Sequence, residues 1–513
     1  MKALILTLGL LAGSLTLTDE DQTAKRRGVE QGLRQKVLIT GHPAEKMDLV
    51  KRMEYYKVPG VSIAVINEGK IEWTQGYGRF GVEPDSPLVT TQTLFQAGSI
   101  SKPLTAFGAL LLVEQGKLSL DDDVNRYLKK WQVPENEFTS TEKVTLRRLL
   151  SHTAGTNVSG FPGYSIKDQL PTTLEVLEGK KPLVNTEPVT VIAKPGSALR
   201  YSGGGTTIVQ LLIEEITGEK FELWMQTHVL RPLGMVESTF KQPLPLADAR
   251  YAAYGHHLGG VKVEGNWHLY PEMGAAGLWT TSRDLARFVT YIQTVLNGRP
   301  GPLLSESTIT TMLQRQRAGG QETDAGLGFF LQNYGKDLIF AHGGQDAGFI
   351  ARLYAYAYQG KGVVILMNND AGWPLMEEIT NSIADSYQWP NNEPIEKKTT
   401  PLDFLRLNEL TGKYTSKEGT IEIKTLGTEL YIDMNNGVAP LRLRHFGNCV
   451  FFIQEDDVNV DFHGCEGQPQ ILTITDPKGN KTVYNKICIR RGGFGSFSPR
   501  LLPLYQNCLK IWV

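Results

Sequence analysis

The chain has 513 residues, and its 53 lysines and arginines nearly balance its 54 aspartates and glutamates, for a formal net charge of −1. That balance leaves no electrostatic footprint for nucleic acid or an anionic membrane surface, so no nucleic-acid partner is expected. Hydrophobic residues make up 41% and charged residues 21%, which suits a globular chain of two or three domains with a sizeable core.

The N-terminus opens on Lys2 and an apolar run from Ala3 to Leu11, followed by Ala12, Gly13 and Ser14. A basic residue, a short apolar stretch and small residues together read as a secretory signal over 1–20. A buried segment of the fold is the alternative. Asp19, Glu20 and Asp21 stop the apolar span, and no other window approaches the roughly 18–20 residues of a membrane helix. A periplasmic or secreted protein with no integral span after signal removal is the expectation.

Val58-Pro59-Gly60 precedes a β-branched run, Val61 to Ile66. Asn67-Glu68-Gly69 is a turn signal, and Ile71 to Tyr77 returns as the partner strand of a hairpin. From about Ser99 to Gln115, Leu104, Phe107, Leu110, Leu111 and Val113 recur with roughly helical period, and Gly116 closes the helix. Helices separated by long loops follow, clearest over Thr206 to Ile216 and Ser282 to Leu296. Strand character returns at Leu338 to Ala341, Ile350 to Tyr358 and Val363 to Met367, before a helix from Leu375 to Tyr387. Strands at both ends with helices between predict an α/β (α+β) domain over 45–389. Its antiparallel sheet is flanked by helices and carries a helical lobe. A polar, proline-containing linker covers 390–402.

Beyond Leu402 come short alternating runs: Thr420 to Lys424, Glu429 to Met434, Val450 to Ile453, Val458 to Phe462 and Ile471 to Ile474. They predict a small all-β barrel or sandwich over 403–489. Residues 490–513 fit neither pattern and read as a tail. All four cysteines, Cys449, Cys465, Cys488 and Cys508, lie in this last part. Four cysteines allow three pairings. In an exported protein Cys449–Cys465 suits a disulfide across neighbouring strands, and free buried thiols are the equal alternative. No cysteine has zinc-type spacing, so no metal is expected.

Phe95-Gln96-Ala97-Gly98-Ser99-Ile100-Ser101-Lys102 places Ser-x-x-Lys at a helix start. Residues at i and i+3 share a helix face, so hydroxyl and amine can meet. A desolvated amine has a lowered pKa and can take the hydroxyl proton. Ser101 adjoins Lys102 in sequence and faces away from it. The helix N-terminus adds positive potential and free N–H groups for a developing oxyanion. The sequence contains no His-Glu-x-x-His, no Gly-x-Ser-x-Gly elbow and no P-loop fingerprint.

From about Val58 to Asn369 the chain resembles the β-lactamase-related serine hydrolases: class C β-lactamases, penicillin-binding proteins, D-peptidases, carboxypeptidases and esterases. Pro59-Gly60-Val61-Ser62 resembles the opening strands, and Ser99 to Lys102 the first motif. Leu149-Leu150-Ser151-His152-Thr153-Ala154-Gly155 resembles a further family stretch. Pro195-Gly196 with Tyr201-Ser202-Gly203 resembles the second motif. Gly277-Leu278-Trp279-Thr280-Thr281 with Asp284-Leu285 resembles the segment opening a late helix, and His342-Gly343-Gly344 the third motif.

The resemblance implies Ser99 as nucleophile, Lys102 as base and Tyr201 as proton relay. It implies a substrate-binding role for His342, Gly343, Gly344 and Gly203, with a backbone N–H near Gly344 or Gln345 completing an oxyanion hole with that of Ser99. Gly203 stands where many relatives carry Asn, and Gly203-Gly204-Gly205 is expected to open space for substrate or backbone. His342 replaces the Lys of the lactamases and is expected to donate a hydrogen bond from a neutral ring. Arg352 is a candidate for the missing charge. His152 reads as a buried brace for the site loop.

The implied reaction is two-step acyl transfer on a small-molecule or peptide substrate, without cofactor. It is peptidase-like or esterase-like, with weak β-lactamase activity. The alternatives are a penicillin-binding sensor that acylates and stalls, or a non-catalytic interaction protein working through the barrel. That barrel resembles the lipocalin-like modules found behind some of these hydrolases. Oligomeric state is open.

Overall fold

The computed structural model describes residues 19–487 except 391, 402–403, 436–439, 456, 465–469 and 478. Residues 1–18 of the signal-like segment, the tail at 490–513, and Cys465, Cys488 and Cys508 therefore lie outside the described residues.

The central sheet has six strands: β1 (Gly60–Asn67), β2 (Lys70–Gly78), β3 (Phe330–Gln332), β4 (Ile339–Asp346), β5 (Phe349–Tyr356) and β6 (Gly362–Met367). Their spatial order is β3-β4-β5-β6-β1-β2, and every pairing is antiparallel. The expected hairpin, β1–β2, joins the late strands through β1·β6, where Met367 faces Val61 and Gly362 faces Ile66. The sheet is thus built from both ends of the domain.

β1 and β6 are almost wholly buried. They read as unbroken apolar runs because both faces of the sheet are covered. Period-two alternation divides their side chains between two cores. Ala64, Ile66 and Leu353 join the core that continues into the helical lobe through Leu104 and Phe107 of the Ser101–Glu114 helix. Ile63, Val65 and Ile350 join the core under the Trp373–Ser386 helix.

An N-terminal helix, Asp19–Glu30, is not legible in the sequence pattern. It adds Val29 to the second core, and the Ser382 hydroxyl donates to the Val29 carbonyl at 2.8 Å.

The stretch read as a linker is partly a strand: Ile395–Lys397 pairs in parallel with Val37–Ile39. Its partner is remote in sequence, so no local signal announces it.

The C-terminal region is a closed eight-stranded barrel. Three strands escaped the sequence pattern: Gly412–Ser416, Leu441–Gly447 and Lys481–Lys486. Each is rich in polar residues on its outer face, and barrel closure, through Tyr414 opposite Lys486, fixes the first and last of them. Ile421, Ile432, Phe451, Val460, Leu472 and other buried side chains fill the interior. The barrel touches the hydrolase-like domain through polar contacts. Gln35 Nε2 donates to Glu455 Oε1 at 2.9 Å, and Gln454 Nε2 donates to the Val37 carbonyl at 2.9 Å. Cys449 is disulfide-bonded. Among the described residues no helix is long and apolar enough to cross a membrane.

Candidate active site

The turn that carries Ser99 follows a short strand, Phe95–Gln96, that pairs with Trp279–Thr280. The chain then enters a single 3₁₀ turn, Gly98–Ile100, and the α-helix proper begins at Ser101. Ser99 therefore sits one turn before the regular helix. Gly98 has φ +49°, and a Cβ on it would lie 2.5 Å from the Gln345 nitrogen. A Cβ at Gly344 would lie 1.9 Å from the Ala97 carbonyl oxygen and 3.3 Å from the Ser99 nitrogen. Glycine at both positions is what allows β4 to press against the turn.

Lys102 lies 2.8 Å from the Ser99 hydroxyl and donates to the Ala275 carbonyl at 2.9 Å. Its side chain is buried. Burial pulls its pKa down to about 7, against the opposing pull of Asp346. An amine that is half deprotonated near neutrality, in contact with a hydroxyl, is a competent base.

Tyr201 stands over this pair. The Lys102 ammonium position is 5.0 Å from the centre of its ring. Its hydroxyl is buried and closes no hydrogen bond of normal geometry. Burial raises the phenol well above its usual pKa, with the Ser99 hydroxyl pulling the other way. The phenol thus keeps its proton. It belongs to an aromatic group with His152, Phe330 and His342, whose ring centres lie 4.4, 6.1 and 6.2 Å from that of Tyr201.

His152 braces this group, as expected. It takes a left-handed backbone conformation, φ +57°, and its Nδ1 accepts from the Ser202 N–H at 3.2 Å. Ser101, on the far side of the helix start, donates to the Gly98 carbonyl at 2.7 Å. His256 and His257 lie elsewhere, against the Asn368 carbonyl and the Asp370 carboxylate.

His342 corrects one expectation. Its Nδ1 lies 2.6 Å from the Gly343 carbonyl oxygen. A carbonyl can only accept, so the proton is on Nδ1 and Nε2 carries a lone pair. Burial, with Lys102 adding to it, takes the ring pKa down to about 3, so the ring is neutral. Nε2 has no partner. His342 therefore offers the site an acceptor rather than a donor.

At Gly203 the close neighbours are protein groups, as one of the two expectations had it. Ser202 caps the Gly203–Thr217 helix, its hydroxyl accepting from the Gly205 N–H at 2.9 Å. A Cβ on Gly203 would fall 2.8 Å from the Phe161 ring, and one on Gly204 about 3.0 Å from Val189. The three glycines make room for protein: Phe161, Val189, Thr156 and the carbonyls of Asn157 and Ser159.

A cavity of about 770 Å³ opens beside Tyr201, His342 and Gly343 and extends to Arg352, Tyr354 and Trp373. Arg352 carries no free charge into it. Its guanidinium pairs with Glu377 and donates to the Thr380 hydroxyl at 3.0 Å. The cavity wall mixes the Tyr201, Phe330, Tyr354 and Trp373 rings with polar groups, among them Arg315, which donates to the Asn333 and Leu331 carbonyls and lies 3.8 Å from Asp324.

Two acids behind the nucleophile were not legible in the sequence. Asp346, at the end of β4, and Glu272, before the Met273–Ala276 turn of helix, are buried, and none of their four carboxyl oxygens closes a hydrogen bond of normal geometry, the Gly98 N–H being the donor directed at Asp346. Burial raises Asp346 well above the usual carboxyl range and Glu272 to about 8. No local motif marks them, because the sheet register and a distant loop bring them to the site. Among the described residues no group of His, Cys, Asp and Glu is arranged to hold a metal ion.

Residues 48–387 match the Beta-lactamase family. Penicillin-binding protein 4* of Bacillus subtilis is 25% identical over 82% of this chain and 93% of its own length. A putative penicillin-binding protein of the same organism, PbpX, is 26% identical over 67% of this chain and 78% of its own. Among solved structures, the octameric penicillin-binding protein homologue from Pyrococcus abyssi superposes with a TM-score of 0.58. It covers 85% of this chain and 98% of its own at 22% identity. The structure of SurE with D-Leu gives 0.51, covering 86% of this chain and 97% of its own at 20% identity. The match spans the sheet, the helical lobe and all three motifs, and by it this chain belongs to the Beta-lactamase family.

Proposed function

We propose that the protein hydrolyses esters or amides through an acyl-enzyme on Ser99, and that it favours substrates without a free carboxylate beside the scissile bond. The observation that carries this reading is the buried Lys102 amine 2.8 Å from the Ser99 hydroxyl.

In the first step the Ser99 proton passes to Lys102 Nζ as Oγ bonds the carbonyl carbon. The Ser99 N–H and that of Gln345, against which Gly98 packs, face the oxyanion. Tyr201 then donates its proton to the leaving oxygen or nitrogen as the carbonyl–leaving-group bond breaks, and is reprotonated through Lys102. Water cleaves the acyl-enzyme by the reverse relay. A carboxylate beside the scissile bond would meet the His342 lone pair, which supports the preference for uncharged ends.

The names of the relatives make penicillin a suitable acylating probe and support D-residue peptides as candidate substrates. The signal-like N-terminus and the disulfide at Cys449 support a periplasmic or secreted location.

The test is intact-mass measurement after incubation with a p-nitrophenyl ester, penicillin and a D-alanyl peptide, with Ser99→Ala as control. An adduct that forms, turns over and requires Ser99 is expected. No Ser99-dependent adduct with any probe overturns the reading, and faster turnover of a chromogenic cephalosporin than of the ester overturns the preference.

A further inference from the structure

We propose that Phe330 is a positioning residue of this site: its ring, packed on Tyr201 from the edge strand β3, holds the phenol where it can hand its proton to the leaving group. The inference rests on the acyl-enzyme reading above and adds what aims its proton donor.

Tyr201 needs such a support. Its hydroxyl closes no hydrogen bond of normal geometry, so no polar partner fixes the direction of the O–H. His152 ties down the backbone on both sides of it. The Arg200 N–H donates to the His152 carbonyl at 2.7 Å, and the Ser202 N–H to the His152 Nδ1 at 3.2 Å. The side chain is left to packing. The χ2 well of an aromatic side chain is broad, so the ring turns unless neighbours close around it.

Phe330 is central to that packing. Its ring centre lies 6.1 Å from that of Tyr201 with the planes 25° apart, 6.2 Å from that of His152 with the planes 20° apart, and 5.5 Å from that of His342. One side chain thus touches Tyr201 and both histidine rings around it. It carries no polar atom, so it contributes shape and takes no part in the proton path.

The local chain is built to present this ring. β3 has three residues, with Phe330 facing Ala341 and Gln332 facing Ile339, and contacts outside the ladder hold it at both ends. Before it, Gly328 has φ +87°, and a Cβ there would lie 2.6 Å from Ala106 and 3.4 Å from the Lys102 carbonyl oxygen. The Gly328 N–H donates to the Leu150 carbonyl at 2.8 Å, two residues before His152. After it, the Arg315 guanidinium donates to the Leu331 carbonyl at 3.0 Å and the Asn333 carbonyl at 2.7 Å, and lies 4.0 Å from the centre of the Tyr334 ring. Phe329 and Leu331 are buried and give the segment its place in the core. Phe330 alternates with them, is only half-buried, and turns to Tyr201 and the cavity instead.

The experiment compares ethyl butyrate with p-nitrophenyl butyrate, which give the same acyl-enzyme. p-Nitrophenolate departs without a proton, whereas an ethoxide must be protonated as it leaves. The ratio of kcat/KM, ethyl over p-nitrophenyl, therefore reads proton delivery during acylation, and the amount of folded enzyme cancels from it. Tyr201→Phe sets the scale and should lower the ratio at least about a hundredfold. Phe330→Leu should lower it about tenfold, because the donor is present but loosely aimed. Phe330→Tyr keeps the ring and should keep the wild-type ratio. Phe330→Met gives the same reading as the Leu variant should that one not fold.

If the folded Leu and Met variants hold the wild-type ratio while Tyr201→Phe lowers it, the inference is overturned alone. A ratio that rises, through lost contact with the p-nitrophenyl ring, also overturns it, since Phe330 is then a cavity wall only. A Tyr variant as impaired as the Leu variant does the same. If Tyr201→Phe leaves the ratio unchanged, or the wild type hydrolyses neither ester through Ser99, the inference and the reading beneath it fall together.

Discussion

The nucleophile site and the C-terminal barrel bury their residues on opposite terms. The barrel interior is filled by Ile421, Ile432, Phe451, Val460 and their neighbours, and its buried Tyr414 hydroxyl donates to the Leu410 carbonyl at 2.8 Å. Around Ser99, by contrast, the Tyr201 hydroxyl, His342 Nε2 and both acids at 272 and 346 are buried with polar atoms unpaired. Each such group costs about 1–3 kcal/mol. The contrast teaches where this chain gives up stability: at the site, where unpaired groups with displaced pKa values suit proton transfer. The barrel interior uses ordinary packing, and its buried acid, Glu455, sits at the face toward Gln35 with one oxygen paired to it.

The contrast breaks most sharply at the nucleophile. Ser99→Ala and Lys102→Met should each lower ester hydrolysis by at least about 10³-fold, because groups that act as a unit fail together. Near-wild-type kcat/KM in either would remove that residue from the chemistry. Next in size is the pH profile. The base form of Lys102 is lost as pH falls through about 7, so kcat/KM should drop about tenfold per pH unit on the acid side. A profile flat from pH 5 to 8 would contradict a lysine base.

His342→Lys replaces an acceptor by a charged donor. A hydrogen bond to a charged group contributes about 1.5–3 kcal/mol, or roughly ten- to a hundredfold. The ratio of cephalosporin to ester kcat/KM should rise by that factor. Because the His342 pKa lies near 3, the wild-type preference should not change between pH 5 and 9.

Glu272 bears on stability. Its folded pKa, about 8, lies above the ordinary 4.5. The stability its neutral form permits is therefore full below about pH 4.5 and is lost as pH rises through about 8. Glu272→Gln should leave Tm unchanged at pH 4.5 and raise it above that of the wild type at pH 9. Equal Tm values at both pH values would show that the acid ionises without cost.

The smallest effect concerns the barrel. A chain ending at 401 keeps the Ile395–Lys397 strand on Val37–Ile39, loses the contacts of Gln35, Val37, Tyr55, Lys397 and Thr400 to the barrel, and should fold with ester kcat/KM within a few-fold of the full chain. A chain ending at 390 also loses the strand and should be measurably less stable. Insolubility of the longer form would show that barrel and hydrolase share more than these contacts.

The sequence by itself determined the parts whose logic is local. Ser99 and Lys102 meet because i and i+3 share a helix face. The β1–β2 hairpin shows in its turn residues and β-branched runs, and the Ser282–Leu296 helix shows in its period and its Thr281 cap. The barrel was visible as a change of rhythm after Leu402, though its most polar strands were not.

What only the tertiary structure decided is everything that depends on a remote partner. The β4 register against β5 and the close approach at Gly344 bring His342 and Asp346 to the nucleophile. Phe161 fills the space at Gly203, and Glu377 neutralises Arg352. The carbonyl of the next residue fixes the His342 tautomer once the ring is packed in place. Charge state and donor sense depend on burial and on the atoms that burial brings near, and sequence spacing carries neither.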